Sequence, residues 1–111
     1  MGGMTFEHDD MLRLAEHIEK RGEYADLDDA TRNQFRASTS NAMREIFNSD
    51  DHHQWGHRDD AHAALLVAGN HISAAGKMMD QSGNTVDSGM AVSPKDHAEK
   101  IATRYKKTYR S

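Results

Sequence analysis

Apolar residues recur along the chain with the spacing of an amphipathic α-helix in four separate segments. Over residues 5–21 the apolar positions lie three or four residues apart, which lines one face of a helix. These positions are Met11, Leu14, Ala15 and Ile18. Thr5 stands where an N-cap is expected, and Gly22 stands where the helix would end. The first segment therefore predicts a helix with one buried face.

Two longer segments show the same period. In residues 28–48, which Asp26 or Asp28 would cap, the apolar stripe consists of Phe35, Ala42, Met43 and Ile46. In residues 59–80 the stripe consists of Leu65, Ala68, Ile72, Ala75 and Met79. Each segment predicts a helix of roughly six turns.

The fourth segment has the clearest start signal in the chain. Ser93 is followed by Pro94 and Asp96, which gives a serine N-cap, a proline at the first helical position and an acid in the first turn. The stripe that follows consists of Ala98, Ile101, Ala102, Tyr105 and Tyr109. The preceding residues 81–92 are rich in Gly, Ser, Asn and Asp, and they predict a flexible loop.

Together these segments predict an all-α fold, a single domain over residues 1–111 built as a small bundle of about four helices. Leu, Ile, Val and Phe make up only 15 of the 111 residues. Disordered chains typically contain less than about 20 % of these four residues, and this chain lies below that value. A net charge of −4 is nevertheless modest for a disordered chain. Because so thin a core gives a small domain little stability, we expect homo-oligomerisation to complete the bundle.

The third predicted helix carries a row of small side chains, which allow two helix backbones to approach closely. The row consists of Ala61, Ala64, Ala68, Gly69 and Gly76. It predicts a helix–helix interface, either between subunits or within an ordinary packed core.

Several classes of protein are excluded by what the sequence does not contain. The chain has no cysteine, so it forms no disulfide and no thiolate zinc site. Its first residues lack the basic and apolar regions of a signal peptide. No apolar stretch approaches the roughly 18 residues of a membrane-spanning helix. We therefore expect a cytoplasmic protein that does not enter a membrane.

Residues 50–62 form the densest polar cluster, with four of the eight histidines, four aspartates and the single tryptophan. Histidine is the commonest metal ligand. The cluster predicts a divalent-metal site with the ligands His53, His57, Asp60 and His62. His53 and His57 would share a helix face if the segment were helical, whereas a turn near Gly56 would scatter the ligands.

The alternative interpretation of this cluster is a polar connection between two helices. Asp59 or Asp60 would then cap the next helix, and Trp55 would pack the connection onto the core. A zinc-protease motif is excluded, because Gln54 follows His53 where that motif requires a glutamate.

Charge is distributed unevenly along the chain. Residues 1–94 carry a net charge of −8, and residues 95–111 carry a net charge of +4. Five cations of the last helix form a candidate contact surface for a partner or a nucleic acid. They are Lys100, Arg104, Lys106, Lys107 and Arg110. Tyr105 and Tyr109 lie among them and could stack on bases, although their spacing favours the core.

No catalytic motif stands out, and no cofactor other than a divalent metal is indicated. The sequence therefore favours a non-enzymatic, homo-oligomeric binding or regulatory protein that acts by contact with another protein. Adaptors, antitoxin-like proteins and inhibitors encoded by bacteria and phages are of this kind. The alternatives are a metal-dependent enzyme or metal-binding protein that uses residues 50–62, and nucleic-acid binding through the last helix.

Overall fold

The computed structural model describes residues 4–81 and 93–109, and in these ranges the chain forms helices and no strand. The four helices are α1 (Phe6–Glu23), α2 (Asp29–Gln54), α3 (Arg58–Gln81) and α4 (Pro94–Thr108). The predicted all-α fold is thus confirmed. The sequence predicts the loop over residues 81–92, but Gln81 is the last residue of α3. The rest of that loop and the candidate contact residue Arg110 lie outside the described residues.

The polar residues predicted to cap three of the helices do so. The side chain of Thr5 accepts a hydrogen bond from the backbone N–H of His8. Asp28 caps α2 in the same way, and Ser93 caps α4 directly before a proline in its first turn. Each cap satisfies one of the backbone donors that a helix N-terminus leaves without a partner.

Consecutive helices run antiparallel, and α1 and α3 form the centre of the packing. Each of these two helices contacts all three others, whereas α2 and α4 lie at opposite corners. The buried core is built from the predicted stripes of all four helices, including Ile18, Ile46, Ile72 and Ile101. No helix in the described part of the chain is both long and apolar enough to cross a bilayer.

Two of the small residues of α3, Gly69 and Gly76, lie against α4 of the same chain. A Cβ atom added to Gly69 would lie 3.1 Å from the Cβ of Ala98, and one added to Gly76 would lie 3.3 Å from a ring carbon of Pro94. Of the other residues in this row, Ala61 and Ala68 are buried and Ala64 is half-buried. At Gly69 and Gly76, α3 therefore lies close to α4, and the interface proposed for the whole row stays a prediction.

Side chains and backbone hydrogen bonds together close the α1–α2 turn, where the N–H of Ala25 donates to the carbonyl of Gly22 at 3.2 Å. Gly22 lies directly against the ring of Phe35, because a Cβ at residue 22 would lie 2.0 Å from that ring. The guanidinium of Arg32 donates to the carbonyls of Gly22 and Ala25 at 3.2 and 2.9 Å. We call this end of the bundle, with the C-terminus of α3 and the N-terminus of α4, the Phe35 end.

Candidate functional site

The antiparallel topology brings the N-terminus of α1, the α2–α3 turn and the C-terminus of α4 together at the opposite end of the bundle, which we call the histidine end. Side-chain contacts join these elements directly. His8 of α1 contacts Ser49 of α2, and His53 of α2 contacts Tyr105 of α4. All the polar clusters described below lie at this end.

A chain of buried hydrogen bonds runs across the histidine end from α1 to α3. His8 is fully buried. Its Nδ1 atom lies 2.6 Å from the hydroxyl of Thr5, and its Nε2 atom lies 2.7 Å from the hydroxyl of Ser49. Ser49 in turn donates to the carbonyl oxygen of Ala61 at 2.6 Å.

These partners define the proton positions on His8. Since the single hydroxyl proton of Ser49 goes to Ala61, Ser49 accepts from His8, and Nε2 carries the imidazole proton. Nδ1 then accepts from Thr5, so a neutral ring satisfies the whole chain. Burial also lowers the pKa of His8, because removal from water disfavours the charged imidazolium.

A second set of rings packs beside His8. The Nδ1 atom of His53 lies 2.8 Å from the phenolic oxygen of Tyr105. Tyr109 packs edge-on against the His53 ring, with ring centroids 4.7 Å apart. Burial raises the pKa of Tyr105 to about 12, so this phenol is neutral at physiological pH. His53 and both tyrosines thus form part of the packing between α2 and α4.

An ion-pair cluster closes the outer side of the histidine end. Arg104 of α4 donates to the carboxylate of Glu7 at 3.0 Å and also pairs with Asp10. Glu7 is buried, whereas Arg104 and Asp10 are partly exposed. These two ion pairs occupy the guanidinium of Arg104 and join α4 to α1.

The α2–α3 turn is a Schellman motif, in which two backbone hydrogen bonds close the C-terminus of a helix. Gly56 adopts a φ of 81° directly after the C-cap, a conformation that glycine accepts without strain. Its N–H donates to the carbonyl of His53 at 3.0 Å, and the N–H of His57 donates to the carbonyl of His52 at 2.8 Å. This second bond fixes the positions of His52 and His57 relative to one another.

Three potential metal ligands meet at this turn. In a Schellman motif the two residues joined by the longer hydrogen bond commonly bring their side chains into contact. Here those residues are His52 and His57, whose ring centroids lie 6.1 Å apart. His57 directly precedes α3, where its carbonyl accepts from the N–H of Ala61, and Asp60 follows in the first turn of that helix. One ligand atom from each of these three side chains lies within 4.8 Å of the others.

The four residues predicted as metal ligands are therefore separated into two sets. His57 and Asp60 lie together, and His52 rather than His53 joins them. His53 contacts Tyr105 instead. The pKa of His62 is lowered, chiefly by partial burial and also by the positive charge of Lys106 on α4.

Two expectations about the connection are corrected. α3 begins at Arg58, so neither Asp59 nor Asp60 precedes the helix as its cap. Trp55 does not pack onto the core, because 80 % of its surface is exposed. The turn needs no aromatic anchor, since the backbone bonds of the Schellman motif close it.

Of the cations predicted as a contact surface on α4, Lys100, Lys106 and Lys107 are exposed. Arg104 is exposed in part, and its guanidinium is occupied by two carboxylates. Asp96 and Glu99 share a surface depression with Lys100, Arg104 and Lys107. The outer face of α4 therefore carries charges of both signs.

Sequence reasoning missed the buried chain of His8 and Ser49. A signal was present, since each of these residues lies three positions from a member of an apolar stripe, Met11 and Ile46 respectively. Both residues thus continue a buried helix face with a polar side chain. Such residues are recognised only when their hydrogen-bond partners on other helices are known.

Comparisons of the chain with protein-family models, with curated proteins and with solved structures found no match.

Proposed function

We propose that this protein is a non-enzymatic binding or regulatory protein that acts by contact with another protein, in the manner of an adaptor, an antitoxin or an inhibitor. The observation that carries the proposal is the exposure of Trp55 at the histidine end. Phe6, at the N-terminus of α1, is 84 % exposed at the same end of the bundle. Aromatic side chains are the commonest anchors of protein interfaces, because they bury a large area at a small entropic cost.

The surroundings of Trp55 favour a partner with a basic surface. Residues 50–60 include four aspartates and one arginine, which gives a net charge of −3. Asp51, Asp59 and Asp60 are exposed. An apolar anchor surrounded by carboxylates complements a pocket with a basic rim, since electrostatic complementarity increases association rates and selects the partner.

The proposed contact can be tested by affinity capture with matched variants. Trp55→Ser removes the anchor at the histidine end, and Tyr24→Ser removes an aromatic side chain that is equally exposed at the Phe35 end. We expect a stoichiometric partner to be captured by the wild type and by Tyr24→Ser, but not by Trp55→Ser. Equal capture of that partner by both variants would place the contact elsewhere.

The chain's single tryptophan also reports directly on the contact. An exposed indole emits at the long wavelength typical of water, and burial shifts the emission to shorter wavelengths. Titration of the captured partner should produce this shift and protect Trp55 from acrylamide quenching. If the partner binds with no change at Trp55, the proposed surface is wrong.

Homo-oligomerisation is the second part of the proposal, supported by the thin core and by the exposed apolar side chains. Native mass spectrometry of the wild type and of Trp55→Ser distinguishes homo-oligomerisation from the contact of Trp55 with another protein. A multimer that persists in the variant would place the subunit interface away from the histidine end. Wild-type protein that remains monomeric at high concentration would contradict self-association while leaving the contact with another protein open.

A further inference from the structure

We propose that His52, His57 and Asp60 form a binding site for a zinc ion at the α2–α3 turn. The site rests on these three side chains and is independent of the proposed protein contact. Its geometry follows from the backbone. The Schellman hydrogen bond pairs His52 with His57, and the first turn of α3 places Asp60 beside His57.

The spacing of the ligand atoms suits a single ion. One atom from each side chain lies within 4.8 Å of the others. Two nitrogen ligands on a tetrahedral zinc, each about 2.0 Å from the metal, lie roughly 3.3 Å apart. His57 and Asp60 are exposed and His52 is half-buried, so small rotations about their side-chain bonds can close the remaining distance.

The three side chains have no competing structural role. Among the described residues, no hydrogen bond or salt bridge engages the side chain of His52, His57 or Asp60. This distinguishes His52 from its neighbour His53, whose ring nitrogen contacts Tyr105. Ligands that are already exposed and without other partners can bind a metal without breaking the fold.

The donor set selects the class of metal. Imidazole nitrogens favour zinc and its neighbours among the transition metals, whereas magnesium and calcium prefer oxygen ligands. Two histidines and one aspartate leave a fourth zinc position open for water or for a side chain of a partner.

The test is isothermal titration of metal-free protein, prepared without a histidine tag or nickel resin, with zinc chloride. We expect binding of one zinc ion per chain and no binding of magnesium under the same conditions. His52→Ala, His57→Ala and Asp60→Ala should each weaken zinc binding at least about tenfold, because loss of even an outer-sphere partner has effects of that size. Absence of zinc binding by the folded wild type would overturn the proposal.

Histidines outside the trio provide matched controls. His62→Ala removes a predicted ligand that does not belong to the trio, and His71→Ala removes a half-buried histidine in the middle of α3. Both variants should bind zinc as the wild type does. If His62→Ala abolishes binding and His52→Ala does not, the ion is held by a different set of residues. Equal weakening in all the variants would indicate dispersed surface binding and overturn the site.

Gly56→Ala tests the role of the backbone while keeping all three ligands. A Cβ at residue 56 meets no atom within 4 Å, so the substitution acts only through the positive φ. Zinc binding should weaken, because alanine disfavours the positive φ that places His57 opposite His52. Circular dichroism verifies that each variant is folded.

Thermal unfolding of the wild type gives a second test of zinc binding. Free zinc at 100 times the dissociation constant of the site should favour folding by a factor of about 100 and raise Tm. An unchanged wild-type Tm would contradict binding to the folded state.

Discussion

At the Phe35 end, buried side chains reinforce the backbone hydrogen bonds of the turn between α1 and α2, whereas at the histidine end the side chains of the α2–α3 turn are exposed and backbone hydrogen bonds close it. Phe35 fills the space beside Gly22, and Arg32 donates to two carbonyls of the α1–α2 turn. The α2–α3 turn is instead closed by hydrogen bonds from the N–H groups of Gly56 and His57. Its side chains extend outwards and are exposed.

The difference between the two ends separates structural residues from residues that are available for binding. At the Phe35 end, changes of Phe35 or Arg32 remove contacts that hold the α1–α2 turn, although Tyr24 is exposed there. At the α2–α3 turn, Trp55, His57 and Asp60 can be changed with little effect on the fold. A surface that binds a partner or a metal is expected where side chains have no other role.

The largest effect is expected for Phe35→Ala. Phe35 is 2 % exposed, and deletion of a buried aromatic ring destabilises a protein by about 3–5 kcal/mol. Phe47→Ala is the matched control, since Phe47 lies on the same helix and is 52 % exposed. Its cost should be below that of Phe35→Ala by at least about 2 kcal/mol. Urea denaturation measures the free energy of unfolding of both variants. Similar losses of stability would show that the ring of Phe35 does not stabilise the Phe35 end.

The two turn glycines provide the next comparison. Gly22→Ala forces a methyl group into the buried Phe35 ring, and overpacking of this kind costs about 1–3 kcal/mol. Gly56→Ala meets no atom and costs about 1 kcal/mol, because alanine is strained at a φ of 81°. Phe35→Leu should reduce the cost of Gly22→Ala by making room for the methyl group, and should leave Gly56→Ala unaffected. A greater loss of stability from Gly56→Ala than from Gly22→Ala would contradict the proposed difference between the two turns.

A smaller effect on the free energy of unfolding is expected from pH, and we assign this effect to His8 at the histidine end. The pKa of His8 is lowered in the folded state, chiefly by burial and also by the charge of His53, while Asp50 and Glu7 act in the opposite direction. Below pH 6.5 the unfolded chain therefore binds a proton that the folded chain does not. Stability is retained above that pH and falls below it by at most about 1.4 kcal/mol per pH unit for this group.

Thermal unfolding between pH 5 and pH 8 measures this dependence. His8→Gln keeps a neutral side chain with a donor and an acceptor, and it should flatten the decline below pH 6.5 even if the variant is less stable throughout. His71→Ala serves as the control and should keep the wild-type profile. A profile unchanged by His8→Gln would assign the acid sensitivity to other groups.

The smallest effect on folding is expected for Trp55→Ser. Because Trp55 is 80 % exposed and follows a helix closed by backbone bonds, its replacement should change the free energy of unfolding by no more than about 0.5 kcal/mol. Urea denaturation followed by circular dichroism tests this without relying on the tryptophan signal. A much larger loss would show that Trp55 has a structural role that its exposure does not reveal.

The sequence predicts the helices well because their buried faces and their ends are local features. The stripe that includes Met11 and Ile18 identifies α1 without reference to any other helix. The caps Thr5, Asp28 and Ser93 likewise act on N–H groups three residues away. Periodicity and capping therefore suffice for the number of helices and for most of their bounds.

The histidine end was harder to predict because its buried positions are polar. The predicted end of α2 near residue 48 reflects the last apolar member of the stripe, Ile46. The helix continues to Gln54 because the same face goes on through Ser49 and His53, whose partners lie on other helices. Adjacent histidines consequently differ in role. His53 lies on the buried face, while His52 is placed beside His57 by a turn whose hydrogen bonds the apolar pattern does not encode.

The three-residue connection between α2 and α3 also has a consequence for the order of folding. These helices pack along their length with contacts that are close in sequence, so their hairpin can form early and quickly. The pairing of Arg104 with Glu7 joins residues 97 positions apart and must await the return of α4. We therefore expect Ala61→Gly, within the hairpin, to slow refolding, and Arg104→Gln mainly to accelerate unfolding. The last helix to dock would then be the first to detach.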